Sequence, residues 1–239
     1  MAVLVPAAER IRVREGYPSQ SAPKALKYHP NLLDTVRYVA LGDSYTVGTS
    51  VAETERWPNQ LVVRLRPAIS MRLVANLGVQ GYSSRDLIEQ ELSALARLTP
   101  QFVTVQVGVN DVVQRTPDLV YDGNTGSILD TLLAAVGPNR IVAVSSPDYT
   151  LTPLGIELGN VEQRRTRIAR LNEIMARRAA ERAIRFVRID DAANKVATDS
   201  GLVAEDRLHP SARQYAMWVD LIAPAVIDAL ATPVGSPSG

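Results

Sequence analysis

Three residues that together could carry out acyl transfer lie far apart in this sequence: Ser44, Asp206 and His209. A serine hydroxyl is a weak nucleophile at neutral pH and needs a neighbouring base. Histidine meets that need because its ordinary pKa of about 6.5 lies near neutrality. The chain has 2 histidines, and His29 falls in an irregular N-terminal stretch, so His209 is the expected base.

Asp206 precedes His209 by three residues and can turn back to accept the proton on the second ring nitrogen. Such a contact would fix the imidazole tautomer and stabilise the imidazolium. Each of the three residues also has a structural alternative. Ser44 and Asp206 could cap helices, and His209, which precedes Pro210, could be a buried loop residue.

Charge that develops on a carbonyl oxygen during acyl transfer requires fixed hydrogen-bond donors. Three candidates are the backbone N–H of Ser44, the backbone N–H of Gly78 and the side-chain amide of Asn110. The alternatives are that Gly78 permits a turn and that Asn110 satisfies backbone groups in a turn. Asp43 and Asp111, which flank these residues, are expected to brace loops through backbone hydrogen bonds.

An apolar segment that includes Tyr149, Leu151 and Leu154 follows a predicted strand. Because small-molecule pockets are mostly apolar, these three side chains are candidates for the wall around an acyl group. The alternative is a hydrophobic flap packed on the core.

Alternating apolar runs and amphipathic segments must position these residues. The pattern predicts strands at 37–41, 71–77, 102–107, 140–144 and 185–189. It predicts helices at 57–65, 83–98 (with Ser84 as N-cap), 128–136, 160–182 and 211–230. Such alternation favours an α/β fold with a mostly parallel five-stranded sheet covered on both faces. Ligands bind such sheets at the carboxyl ends of the strands, where Ser44, Gly78 and Asn110 follow.

The domain organisation follows from composition along the chain. Residues 1–35 are rich in proline, serine and charge and are interpreted as an N-terminal extension. Residues 36–231 form one domain, and the Pro/Gly/Ser-rich segment 232–239 is predicted to be disordered.

The overall composition excludes several classes of protein. The net charge of +1 gives no reason to expect a nucleic-acid partner, and the chain has no cysteine for disulfides or thiolate metal sites. No apolar run approaches the roughly 20 residues of a membrane span, and no metal site is expected. The lack of a clear signal peptide favours a cytoplasmic location, with a mature secreted form as the alternative. The oligomeric state is left open.

Four blocks carry a resemblance to a known family: Gly42-Asp43-Ser44, Gly78 within 76–81, Gly108-Val109-Asn110-Asp111 and Asp206-Arg207-Leu208-His209. In this order they resemble the blocks of the SGNH, or GDSL-type, hydrolases, although Tyr45 stands where leucine is usual. The resemblance implies a flavodoxin-like three-layer α/β/α sandwich and no cofactor.

The resemblance also implies functional roles. Ser44 would be the nucleophile, His209 the base and Asp206 its orienting partner, and Ser44, Gly78 and Asn110 would donate to the oxyanion. The reaction would be hydrolysis of a small-molecule carboxylic ester through an acyl-enzyme. Residues 38–65 look most like small bacterial esterases of lysophospholipase type. The family resemblance implies esters of short-to-medium acyl chains as substrates: acetylated sugars, aryl esters or lysophospholipids.

Three other interpretations stay open. An acyltransferase would use the same acyl-enzyme, and a non-catalytic carbohydrate-binding module is a more remote alternative. The third and least favoured is nucleotide binding, because the segment 42–50 superficially resembles a phosphate loop but has no lysine after Gly48.

A group of arginines on the predicted helix 160–182 is interpreted as a solvated face in preference to an anion-binding patch: Arg164, Arg165, Arg167 and Arg170.

Overall fold

The computed structural model describes residues 35–231. The predicted N-terminal extension, apart from Thr35, and the predicted disordered tail lie outside the described residues. Within them the chain forms a five-stranded sheet in the order β2-β1-β3-β4-β5, with every neighbouring pair parallel. The strands are β1 Val36–Gly42, β2 Met71–Asn76, β3 Phe102–Gln106, β4 Ile141–Val144 and β5 Arg185–Val187. This is the flavodoxin-like order, and it confirms the predicted fold class.

Helices cover both faces of this sheet. They are α1 Ser44–Val47, α2 Trp57–Leu65, α3 Ser84–Asp86, α4 Leu95–Leu98, α5 Val109–Val113, α6 Asp118–Val136, α7 Pro153–Glu157, α8 Val161–Ala180, α9 Asp190–Ala193 and α10 Ala212–Ala231. Shorter helical turns lie at Glu53–Glu55, Leu87–Glu91, Leu92–Ala94, Tyr149–Leu151, Asn194–Ala197 and Ser200–Leu202.

The core lies in two layers, one on each face of the sheet. Successive side chains of β1 alternate between these layers, as the period of two in a strand requires. Tyr38 joins the layer that contains Trp218 of α10, whereas Val39 and Leu41 join the layer that contains Ile128 of α6. The central strand β3 is buried along its whole length, and its two polar side chains have partners inside the protein: Thr104 hydrogen-bonds with the Tyr38 hydroxyl, and Gln106 donates to the Ser145 carbonyl.

Two helix predictions need correction. The predicted N-cap Ser84 is the first helical residue, and Ser83 is the N-cap, with its backbone N–H and hydroxyl both donating to Asp86. The segment 84–98 is also not one regular helix, because a wider π-helical turn at Leu87–Glu91 interrupts it. The helix predicted at 128–136 begins ten residues earlier, at Asp118 directly after Pro117, because glycines in its first half obscure the apolar period.

Helix α10 is the one described helix with the length and apolar composition of a membrane span, at a mean hydropathy of 1.2. Half of that window is buried inside the protein. Trp218, Ile222 and Val226 are fully buried in the core, so packing on the sheet accounts for the apolar character of the helix.

One buried side chain ties α8 to the carboxyl end of β4. Asn172 is 4% exposed, its Oδ1 accepts from the Ser146 N–H at 2.8 Å, and its Nδ2 donates to the Ser146 carbonyl at 2.9 Å. This pair of bonds fixes the chain just before Tyr149, at the functional end of the sheet.

Replacing Asn172 by alanine should leave two buried backbone groups of Ser146 without partners. We expect Asn172→Ala to lower the free energy of unfolding by about 2–4 kcal/mol. Urea unfolding followed by circular dichroism measures this change. Asn194→Ala, at an exposed position, is the matched control, and an equal effect of the two substitutions would contradict the account.

Candidate active site

The turn that follows β1 presents Ser44 at the start of α1. Asp43 is the N-cap, and its Oδ1 accepts from the Tyr45 N–H at 3.0 Å. Gly42 has a φ of 150°, and a Cβ placed there would lie 2.2 Å from the carbonyl oxygen of Gln106. Only glycine therefore fits at this tight exit from the strand. The result is a serine at the first helical position, above the carboxyl end of the sheet.

The loop before α10 brings His209 to this serine. His209 Nε2 lies 2.9 Å from Ser44 Oγ, and His209 Nδ1 lies 2.6 Å from Asp206 Oδ2. Ser44 and His209 are 5% and 6% exposed. The Tyr45 ring packs against the imidazole, with ring centroids 5.1 Å apart. The structure thus brings Ser44 together with Asp206 and His209, which follow it in the sequence by more than 160 positions.

Asp206 accepts hydrogen bonds on both carboxylate oxygens. Oδ1 accepts the backbone N–H groups of Leu208 and His209, each at 2.9 Å. Oδ2 accepts the hydroxyl of Ser50 at 2.6 Å in addition to the His209 ring. Burial alone would raise the pKa of Asp206, but these hydrogen bonds outweigh it and hold the pKa at about 2. Asp206 is therefore ionised throughout the neutral range.

The sequence analysis did not identify Ser50 as part of this site. Ser50 lies after α1, has a φ of 68° and is exposed. A loop serine carries no motif, and its partner Asp206 is 156 residues away. No signal in the sequence could have indicated this contact.

Two of the predicted oxyanion donors lie on the same cavity. Asn110, in α5, lines it together with Ser44. Asn110 Nδ2 donates to the Tyr82 carbonyl at 2.9 Å. An amide nitrogen carries two hydrogens, so this bond orients the group and leaves the second hydrogen for a ligand.

Gly78 is placed differently from the other predicted donors. Its N–H donates to Asn76 Oδ1 at 3.1 Å, and it is not among the residues that line the cavity. A Cβ at this position would lie 2.8 Å from both the Asp43 carbonyl oxygen and the Val47 nitrogen. Gly78 is thus required for close packing under α1, and its N–H could reach an oxyanion only if Asn76 shares it.

The cavity beside Ser44 has a volume of about 160 Å³. It is lined by Ser44, Tyr45, Gln80, Gly81, Val109, Asn110, Val113, Tyr149, Leu158, Leu208 and His209. A larger groove of about 560 Å³ lies between α2 and α10, but the residues that line it include no serine or histidine.

Of the three residues predicted to form the wall around the acyl group, one lines the cavity beside Ser44. Tyr149 lines the cavity, but Leu151 lines a separate groove with Asp148 and Arg165. Leu154 is not among the cavity-lining residues. The reason is that this segment folds into a tight helical turn followed by α7, which sends neighbouring side chains in different directions. Other side chains form the apolar wall instead: Val109, Val113, Leu158 and Leu208.

Buried acids lie beneath the nucleophile turn. Glu91 is 3% exposed, and its Oε2 accepts the Gly42 N–H at 2.9 Å. Burial, with a smaller contribution from the nearby charge of Asp43, raises the pKa of Glu91 to about 9. Burial also raises the pKa of Asp43 to about 7. Asp111 accepts both the N–H and the hydroxyl of Ser84, so Asp43 and Asp111 hold backbone as expected, and Glu91 is a third brace that the sequence did not indicate.

Comparison with known proteins identifies the family of the chain. The model of the GDSL-like lipase/acylhydrolase family matches residues 40–217, and the chain belongs to this family. It is therefore a carboxylic ester hydrolase. No curated protein matches the sequence significantly.

Solved structures share the fold at low sequence identity. The acetylxylan esterase Axe2 from Geobacillus stearothermophilus is 22% identical with a TM-score of 0.61, covering 84% of this chain and 97% of Axe2. TesA is 16% identical with a TM-score of 0.64, covering 81% of this chain and 99% of TesA. A putative lipolytic protein of the G-D-S-L family from Desulfitobacterium hafniense is 19% identical with a TM-score of 0.63, covering 80% of this chain and 99% of that protein.

Glu91 should make folding stability depend on pH in a definite direction. Its pKa is raised from 4.5 to about 9, so the unfolded chain loses this proton at lower pH than the folded chain does. The stabilisation is complete below about pH 4.5 and declines as pH rises towards 9, by up to about 1.4 kcal/mol per pH unit. Glu91→Gln, which cannot ionise, should gain stability relative to the parent between about pH 5 and pH 8.

Urea unfolding at several pH values measures this difference. Glu89→Gln, an exposed change in the same helical turn, is the control and should show no comparable slope. A stability difference between the parent and Glu91→Gln that stays constant across this range would contradict a protonated, buried Glu91.

Proposed function

We propose that the protein hydrolyses short-chain carboxylic esters through an acyl-enzyme on Ser44, with His209 as base and Asp206 as its orienting partner. The observation that carries the proposal is the continuous line of contacts from Ser44 Oγ to His209 Nε2 at 2.9 Å and from His209 Nδ1 to Asp206 Oδ2 at 2.6 Å. Nucleophile, base and orienting group in this geometry are what serine acyl transfer requires.

The protonation states follow from these contacts. Because Asp206 has a pKa of about 2, its carboxylate accepts the Nδ1 proton of His209. Nε2 is then the unprotonated nitrogen and can accept the Ser44 proton as Ser44 Oγ bonds to the ester carbonyl carbon. The resulting imidazolium gives that proton to the departing alcohol as the bond to the alcohol oxygen breaks. Water, deprotonated by the same nitrogen, then releases the acid and restores Ser44.

The oxyanion would form at the N-terminus of α1. The Ser44 N–H belongs to the first turn of a helix, where backbone donors lack intrahelical partners. The Asn110 amide is the second donor, already oriented by Tyr82. We assign Gly78 as a third donor, with its N–H shared between Asn76 and the oxyanion. Fixed donors of this kind each contribute about 2.7–4 kcal/mol to catalysis.

The size of the cavity favours a short acyl group. Its volume of about 160 Å³ is well below the roughly 300–1,000 Å³ of pockets that enclose drug-sized ligands. Its apolar wall suits acetyl to butyryl chains better than a long fatty acid. Of the expected substrates, acetylated sugars and aryl esters therefore fit better than lysophospholipids, and the similarity to a structure named as an acetylxylan esterase supports acetyl esters.

Loss of the Ser44 hydroxyl should abolish turnover without unfolding the protein. We expect Ser44→Ala to lower kcat for an aryl acetate by about 10⁴-fold or more, because no other group supplies the nucleophile. Ser93→Ala, at an exposed helical serine, is the control. The assay measures free acid and, with glycerol present, transferred ester. Substantial activity in a correctly folded Ser44→Ala variant would contradict the proposal.

A further inference from the structure

The arginines of α8 do not all have the same surroundings. Arg165 contacts Asp148 at 3.0 Å, and Arg167 and Arg170 both pair with Asp118 at the start of α6. The interpretation of a solvated face therefore needs one change for these three arginines, because each forms an ion pair with an aspartate. Arg164 has no carboxylate partner within residues 35–231.

Arg164 lines a second cavity, of about 230 Å³, which we call the arginine cavity. Its wall consists of Val112, Val113, Arg115, Asn160, Gln163, Arg164 and Arg167. Arg115, like Arg164, has no ion-pair partner among the described residues, and no carboxylate is part of this wall. A concave surface with three guanidinium groups, two amides and no acid is complementary to an anion.

The arginine cavity adjoins the catalytic cavity. Val113 lines both of them. Tyr149, on the wall of the catalytic cavity, lies close enough to Arg164 that the guanidinium opposes the rise in pKa that burial imposes on the phenol. The two cavities therefore meet at Val113.

We propose that the arginine cavity binds an anionic group, a carboxylate or a phosphate, on the alcohol part of the ester substrate. The inference rests on the proposed function, in which the small catalytic cavity holds the acyl group. The alcohol part must then lie outside that cavity, and the arginine cavity next to it offers Arg115 and Arg164, whose guanidinium groups have no carboxylate partner within residues 35–231. Arg115 and Arg164 are the specificity-determining residues, and Arg167 is already held by Asp118.

Two aryl acetates that differ only in charge test this inference: 4-acetoxybenzoate, which is anionic, and 4-acetoxybenzamide, which is neutral. We expect KM for the benzoate to be about tenfold lower than for the amide, as one charge-assisted contact would give. Arg115→Gln and Arg164→Gln should each raise KM for the benzoate several-fold at constant kcat and leave the amide unchanged. Raising the salt concentration from about 20 to about 500 mM should reduce the difference in KM between the benzoate and the amide.

Arg170→Gln is the control, because Arg170 lies on the same helix, pairs with Asp118 and does not line the cavity. A third substrate, 4-acetoxyphenyl phosphate, distinguishes the two anions. If KM for the phosphate lies further below KM for the amide than KM for the benzoate does, the site prefers phosphate. If KM for the benzoate lies further below it, the site prefers carboxylate. Either result supports an anion site.

Equal kcat/KM for the charged and neutral esters would overturn the inference. So would an Arg164→Gln variant that loses activity on both esters while Arg115→Gln changes neither, because Arg164 would then only support Tyr149. Failure of the proposed function is distinguishable from these results. It would appear as hydrolysis of the neutral amide ester by the Ser44→Ala variant, whatever the charge preference.

Discussion

The carboxylate of Asp206 is the group on which the geometry of the site depends. It lies within a short loop near the end of the domain, and its oxygens accept donors from that loop and from Ser50, which lies near the start. This carboxylate, together with the Tyr45 ring that packs on the imidazole, fixes His209 against a serine 165 residues away. Because several hydrogen bonds hold its pKa at about 2, the group keeps its charge throughout the neutral range.

The turn that carries Ser44 is stabilised by acids whose pKa is raised, whereas the pKa of Asp206 is lowered. Glu91 and Asp43 are buried, and burial raises the pKa of both. A protonated Glu91 still accepts the Gly42 N–H, so it satisfies a buried donor without placing a second full charge beneath the nucleophile. The site thus combines one ionised carboxylate, beside the base, with largely desolvated acids below the serine. The π-helical turn at Leu87–Glu91 places Glu91 for this contact, and irregular turns of this kind are frequent at functional sites.

Sequence reasoning predicted what depends on local pattern and on parallel-sheet geometry. The strands, their parallel arrangement and the positions of Ser44 and Asn110 followed from apolar runs and from the residues after them. His209 was chosen because the other histidine, His29, lies in the irregular N-terminal stretch, and because of the family resemblance. Sequence reasoning failed where contacts are long-range and carry no motif. Ser50 with Asp206 and Glu91 with Gly42 are two such contacts, since each joins residues that no pattern connects.

Other features had signals that were present in the sequence but overlooked. An asparagine two residues before Gly78 is a common way to satisfy a turn N–H, so the contact with Asn76 could have been expected. Glycines hid the first half of α6, although Pro117 marks where that helix begins. The prediction placed the apolar wall in one segment, whereas its side chains come from α5, from the residues after α7 and from the loop before α10, because the tight turn at Tyr149–Leu151 directs Leu151 into another groove. The arginines of α8 could be sorted only once their aspartate partners, Asp118 on α6 and Asp148 after β4, were known.

Covalent capture of the nucleophile tests the central claim most directly. An aryl fluorophosphonate reacts with a serine hydroxyl only where a base accepts its proton and donors stabilise the developing oxyanion. Peptide mapping by mass spectrometry should then place a single phosphonyl adduct on Ser44, and the adduct should be absent from a His209→Ala variant that remains folded. An adduct on another residue, or undiminished labelling of Ser44 without His209, would contradict the account.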